Sequence, residues 1–185
     1  MVENRMRLNP KLAALLIIDV QERFVPVIHD YPSILAAIRK IIRGAQVLEI
    51  PILLTEQYPK GLGQTVSEIR QLIPNIEAIE KLSFSCCGGS DFPDQLKQTE
   101  RQQILVCGIE THVCVYQSCA DLQDLGYEVH LLQDCVSSRK PDDRLLALQK
   151  LQAMGVFMTG VEMALFEMLR VAGTPVFKEI SRLVK

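Results

Sequence analysis

The 185-residue chain has no marked excess of either charge: 20 Lys and Arg stand against 22 Asp and Glu, a formal net charge of −2. That excludes the basic footprint with which a protein binds nucleic acid or an anionic membrane surface. Long hydrophobic runs are missing too. Stretches such as AALLII and VCGI fall far short of the roughly 18 apolar residues that span a bilayer. The N-terminal MVENRMRLNPK has no apolar core of the kind a signal peptide needs, so a cytoplasmic setting is expected. There are three histidines, His29, His112 and His130, widely spaced, and no CxxC pair among Cys86, Cys87, Cys107, Cys114, Cys119 and Cys135. A structural zinc site is therefore not expected, and cysteines scattered through apolar runs read as reduced thiols. The sequence also shows no internal repeat, low-complexity tract, Gly-rich phosphate loop or paired arginine cluster to announce an anionic ligand.

What is present is a pattern. Apolar residues make up 48% of the chain, ordinary for a globular protein, and the length suits one domain over residues 1–185. AALLIIDV (13–20) is a continuous apolar run stopped by an acid, as in a strand buried on both faces. SILAAIRKIIRGAQVLE follows with Ile34, Leu35, Ile38, Ile41, Ile42, Ala45 and Leu48 on one helical face. Further strands are expected at ILLTE (52–56), in IEAIEKLSF (76–84) as a short strand ending near Lys81, and at QQILVCGI (102–109), EVHLLQDC (128–135) and VFMTG (156–160). Helices are expected near Thr65–Leu72, at DFPDQLKQT, at HVCVYQSCADLQDLG (112–126), at PDDRLLALQKLQAMG (141–155), at VEMALFEMLRVAG and over Val176–Val184; Pro59, Gly61 and Gly63 mark a loop. Strands alternating with helices predict an α/β, three-layer Rossmann-like fold: a mainly parallel sheet of about six strands with helices on both faces.

Such sheets bind ligands at the carboxyl ends of their strands. The residues there are Asp19, Glu56 and Gln57, Lys81, Glu110 through Cys114, and Asp134. With Thr111 as the N-cap, Cys114 would be the third helical residue, where the macrodipole favours a thiolate by only about 0.3–1 kcal/mol. From a reference pKa near ~8.5 that leaves the thiol mostly protonated, so a nearby cation or base is required. Plainer readings exist: Asp19 as a strand-end cap, Lys81 as a solvated lysine, Cys114 as core filler. The three become informative only by converging. Gln21, Phe24, Tyr58 and Phe84 follow the same strands and are candidates to line a pocket, with core packing the plainer role for the two phenylalanines. His112 flanks Cys114, but successive helical residues diverge, so it is not expected to be the base. Cys86–Cys87 with Gly88–Gly89 reads as a turn near the pocket, and Asp134 as a structural cap.

Taken together, LLIIDVQERF, VLEIPILLTEQYPKGLG, EKLSFSC, GIETHVCV and GYEVHLLQDCVSSR resemble the isochorismatase-like cysteine hydrolases, over essentially the whole chain. TEQYPKGLG is similar to the subgroup called isochorismatase domain-containing proteins. The resemblance implies an Asp–Lys–Cys triad at Asp19, Lys81 and Cys114, with Lys81 favouring the thiolate. It implies a cis peptide at Ile109–Glu110 and an oxyanion site formed by the backbone N–H groups of Glu110 and Cys114. It also implies a homo-oligomer and a small-molecule amide substrate cleaved at its C–N bond through a thioester, without cofactor. The family's metal-binding nicotinamidases carry histidines after the second strand. TEQYPKGLGQT has none, so neither a metal nor nicotinamide is expected. The isochorismatase that names the family works without a nucleophilic thiol, and Cys114 points instead to the amidase-type reaction. Readings from other classes are a non-catalytic interaction or regulatory module, and a thiol sensor built on Cys114 with Cys86 or Cys87.

Overall fold

The computed structural model describes residues 7–89 and 91–185; MVENRM, on which the signal-peptide expectation partly rests, lies outside the described residues. Six strands, β1 (Ala13–Ile18), β2 (Ile52–Gln57), β3 (Ala78–Lys81), β4 (Gln103–Ile109), β5 (Glu128–Ser137) and β6 (Phe157–Thr159), form one sheet in the order β3-β2-β1-β4-β5-β6. Every pairing is parallel. The helices are α1 (Tyr31–Val47), α2 (Pro59–Leu62), α3 (Ser67–Arg70), α4 (Phe92–Gln98), α5 (Tyr116–Asp124), α6 (Pro141–Ala153), α7 (Val161–Leu169) and α8 (Pro175–Val184).

The continuous apolar runs of the strands are explained by burial on both sides. Along β1, Ala13, Leu15 and Ile17 pack with α1, α7 and α8, whereas Ala14, Leu16 and Ile18 pack with α4, α5 and α6. The period of two sends alternate side chains to opposite faces, and two apolar clusters result, one under each helical layer. The three-layer α/β architecture expected from the alternating pattern is the one observed.

Two elements differ from expectation. The segment after β2 holds a short helix, α2, where Pro59 and Gly61 suggested loop alone; Pro59 occupies its first turn and Gly63, at φ 78°, ends it. Strand β5 runs to Ser137 rather than stopping at Cys135, because its register against β4 jumps from Val106↔Leu131 to Gly108↔Val136. Asp134 therefore lies within the strand, in its irregular part. Both of its carboxylate oxygens accept from the Val161 N–H (3.1 and 2.9 Å), which caps α7 as expected of a structural acid.

The sheet order reverses direction between β1 and β4, which is where doubly wound sheets open a crevice. Closeness there depends on one glycine. Gly108 pairs with Ile18 at φ 126°, and a Cβ at this position would lie 2.0 Å from the Ile18 carbonyl oxygen. The clash is with backbone and cannot be relieved by a rotamer change. Gly108→Ala should lower stability by more than about 2 kcal/mol, read as a shift in the urea midpoint at constant slope; an unchanged midpoint would contradict the close β1–β4 approach.

The buried thiols and His130 set a pH window for stability. Burial pushes Cys86 up to about 12, drives Cys107, Cys119 and Cys135 higher than the usual thiol value of 9.0, and lowers His130 to about 4. Above about pH 9 the unfolded chain loses thiol protons first; below about pH 6.5 it binds the histidine proton first. Unfolding midpoints should be highest between those limits, and a midpoint that climbs on passing above pH 9 would contradict the burial of these thiols.

Candidate active site

Asp19 stands at the end of β1 with φ 52°, a left-handed conformation that turns the chain out of the strand. Lys81 is the last residue of β3, two strands away. The parallel register aligns their ends: Ile18 pairs with Thr55, and Gln57 with Lys81. Lys81 Nζ lies 2.6 Å from Asp19 Oδ2, with both side chains fully buried. The ammonium also donates to Gln57 Oε1 (2.8 Å) and to the carbonyls of Phe84 (3.0 Å) and Ser83 (3.3 Å). Asp19 Oδ1 accepts from the Thr55 hydroxyl at 2.8 Å. A buried ion pair is tolerated when its remaining hydrogen-bonding capacity is used, and here it is used on both sides.

Cys114 completes the group. It is buried, with its thiol under the opposing fields of the Asp19 carboxylate and the Lys81 ammonium. The peptide bond Ile109–Glu110 is cis, as the resemblance implied. The chain then makes a wide π-helical turn over Thr111–Val115 before α5 begins. The Glu110 carbonyl accepts from Val113 N (3.1 Å) and, five residues on, from Val115 N (3.2 Å); such turns concentrate at functional positions. The expectation of Thr111 as N-cap is corrected. Glu110 takes the cap position, while Thr111 is fully buried inside the turn with a hydroxyl that has no partner among the described residues. Thr111 thus adopts helical backbone instead of the extended conformation an N-cap requires.

The electrostatics agree with a thiol that the helix dipole alone leaves protonated, and Lys81 acts on it in the expected direction. Burial, followed by the Asp19 charge, pushes the Cys114 thiol well above its usual range, and the opposing pull of Lys81 does not compensate. The resting group is therefore a protonated thiol in the field of a carboxylate.

The remaining candidates are placed differently. Gln21 is fully buried with its amide spent on backbone: Nε2 donates to the carbonyls of Gln57 (3.0 Å) and Gly63 (2.6 Å), and Oε1 accepts from Gln57 N (2.8 Å). It fastens the α2 segment to the end of β2. Phe24 is half-buried against the α1-side core. Tyr58 and Phe84 are about half exposed, directly following β2 and close after Lys81. Glu56 ties Thr65 through its backbone N–H and hydroxyl, both at 2.7 Å. His112 Nδ1 sits 3.0 Å from the Ser138 hydroxyl and Nε2 is 3.9 Å from Asp143, consistent with its not serving Cys114.

Residues not singled out from the sequence include Thr55, Ser118 and Arg139. Thr55 has a visible signal, as the one hydroxyl within the apolar run of β2. Ser118 follows Cys114 by four residues on the same helical side, and it receives Cys86 N (2.9 Å) while its hydroxyl donates to Cys86 Sγ (3.2 Å). Cys86 Sγ in turn lies 3.8 Å from Thr55 Oγ1, so the Cys86–Cys87 turn does border the Asp19 cluster. Arg139, mostly exposed, binds the buried Glu110 carboxylate through its backbone N–H (3.1 Å) and Nε (2.9 Å). No group of three or more His, Cys, Asp or Glu residues among the described residues could hold a metal ion. No helix among them is long and apolar enough to cross a membrane.

Comparison with known proteins gives concordant results. The family model described as Isochorismatase domain matches residues 13–163. A secreted isochorismatase effector, Isc1, of Phytophthora sojae is 37% identical over 187 residues, spanning 97% of this chain and 87% of that protein. Isochorismatase domain-containing protein 2 of Danio rerio is 38% identical over 178 residues, spanning 96% and 89% respectively. A solved structure described as MAR1 ribonuclease of Caenorhabditis elegans matches with a TM-score of 0.90 at 36% identity, covering 96% of this chain and 92% of that one.

The raised Cys114 pKa has a direct readout. Alkylation of Cys114 by iodoacetamide, followed by mass spectrometry, should be slow at neutral pH and still rising as the pH passes 9.0. A plateau reached below neutrality would mean a preformed thiolate and would contradict this description.

Proposed function

The chain belongs to the isochorismatase family of hydrolases, and on that premise we propose that it cleaves the C–N bond of a small amide with Cys114 as nucleophile. The observation that carries the reading is the buried Cys114 thiol set against an Asp19 carboxylate that Lys81 holds in place. In this mechanism Asp19 takes the thiol proton as sulfur attacks the amide carbonyl, forming the C–S bond. The negative charge passes to the carbonyl oxygen, where the N–H groups of Glu110 and Cys114 receive it. Collapse of that intermediate expels the amine, which leaves with the proton held by Asp19, and a thioester remains. Water then attacks the thioester with Asp19 as base, releasing the carboxylic acid and restoring the thiol.

Lys81 has a double role here. Its charge opposes the upward push on Cys114, and its three other acceptors hold the ammonium where it fixes the carboxylate's position. Tyr58 and Phe84, half exposed beside the strand ends that carry Lys81 and Gln57, suit the rim of a pocket for a small, largely apolar substrate. Neither step requires a metal, and a reducing, cytoplasmic setting belongs to the same reading. Assembly into a homo-oligomer belongs to the same reading; exposed Leu145, Leu146 and Met163 on α6 and α7 offer apolar surface for it.

The test is a panel of small amides with purified protein and a Cys114→Ala control, with RNA included because one relative is described as a ribonuclease. Amide turnover abolished in Cys114→Ala and retained in chelator fits the proposal; RNA turnover unaffected by Cys114→Ala would overturn it. Within the triad, two variants should diverge. Lys81→Met removes the charge that lowers the Cys114 pKa, so alkylation slows; Asp19→Asn removes a charge and a hydrogen bond that raise it, so alkylation is kept or enhanced. Amide turnover should nevertheless fall by ~10²–10⁴-fold in Asp19→Asn, because proton transfer is lost. Near-normal turnover in that variant would reduce Asp19 to a structural part.

A further inference from the structure

Helix α1 carries Arg39, Lys40 and Arg43 and no acidic residue over its whole length, and α8, with the adjoining Lys185, contains a single acid, Glu179. The two helices pack together so that Arg39, Lys40 and Arg43 of α1 and Arg182 of α8 surround a recess of about 280 Å³, with Ala36 and Leu183 completing the lining. None of the four cations forms an ion pair among the described residues, whose ion pairs join other side chains. Lys40 Nζ reaches the Val184 carbonyl at 3.4 Å, and that is a weak, neutral partner.

A simpler explanation covers part of this cluster. Cations near a helix C-terminus complement its dipole, and Arg182 lies in the last turn of α8, where Lys40 also meets a terminal carbonyl. Arg39 and Arg43 are not accounted for in this way, because no basic residue occupies the last turn of α1. Nor does the cluster reflect a basic protein, since the chain as a whole is net negative. Four unpaired like charges around one concavity give it a positive potential that favours entry of an anion.

We infer that this recess binds a compact, multiply charged phosphate group, at a site whose lining shares no residue with the Asp19–Lys81–Cys114 cluster. Guanidinium forks match phosphate oxygens in pairs, and three of the four cations are arginines. The occupant is compact because the basic surface is bounded. Lys40 also lines the adjacent groove, but its other charged neighbours there are Asp134 and Glu162, which repel an extended polyanion. The acidic overall balance disfavours a long nucleic-acid backbone for the same reason.

The experiment is isothermal titration of the full chain with inorganic tripolyphosphate at two ionic strengths, with sulfate as comparison. Vesicles of phosphatidylcholine, with and without a bisphosphorylated inositol lipid, and single-stranded RNA are titrated alongside. Tripolyphosphate should bind more tightly than sulfate, and affinity should fall at the higher ionic strength. Arg39→Gln/Arg43→Gln and, separately, Arg182→Gln should each weaken binding roughly tenfold or more. Cys114→Ala should bind normally, which separates this site from the proposed catalytic one. Vesicle binding that requires the inositol lipid and is displaced by tripolyphosphate assigns the phosphate to a headgroup; absence of vesicle binding assigns it to a free ligand. The glutamine variants should keep the parent's unfolding midpoint, since the side chains of Arg39, Arg43 and Arg182 are exposed. Equal binding of sulfate and tripolyphosphate, indifference to the arginine substitutions, no binding at all, or preference for RNA over tripolyphosphate would each overturn the inference.

Discussion

The buried contact between Lys81 and Asp19 is the constraint on which the candidate site rests. Removing two charges from water is costly, and the pair persists because each remaining polar atom has a partner. Lys81 is met by Gln57, Ser83 and Phe84, and Asp19 by Thr55 and Cys114. These partners come from β2, from the segment after β3 and from the turn after β4. One ion pair therefore connects three consecutive strands of the sheet to the turn that carries Cys114. Loss of either charge would strand the other in a water-free interior, so the geometry is held by the desolvation penalty as much as by attraction.

That contact is possible only because the backbone brings the strand ends close together. Gly108 lets β4 approach β1 to a distance no side chain would permit, and Asp19 leaves β1 in a left-handed conformation. The π-helical turn then places Cys114 beside the carboxylate. Around this centre a second set of polar contacts fixes the loops. Gln21 and Glu56 hold the segment after β2, Ser118 holds Cys86, and Arg139 holds Glu110. Gln21, Glu56 and Ser118 are buried, so their bonds are made without strong competition from water, whereas Arg139 reaches the buried Glu110 from the surface.

The thiol chemistry follows from the same dryness. An exposed cysteine beside a lysine would be expected to ionise readily. Here burial and the adjacent carboxylate outweigh the lysine, and the proton stays on sulfur until a base takes it. In the proposed mechanism the base is also one of the groups that raise the pKa, Asp19, which would couple activation of Cys114 to proton transfer.

The sequence by itself determined the order of strands and helices, because runs buried on both faces and 3.6-residue stripes are local signals, visible within ten or fifteen residues. It also placed Asp19, Lys81 and Cys114 at strand ends, and the matched motifs marked Ile109–Glu110 for a cis bond. Tertiary structure decided what depends on partners far away in the chain. Thr55 reads as one polar residue in a strand until the register sets it against Asp19, 36 positions away. Thr111 has the composition of an N-cap, and only the wide turn shows that Glu110 takes that place. The extension of β5 rests on a register jump against β4 that no periodicity within β5 reveals. The direction of the Cys114 pKa depends on how completely water is excluded, and the basic recess on the packing of Arg182 against a helix at the other end of the chain. Periodicity is written along the chain, whereas burial and charge compensation arise only between segments that the fold brings together.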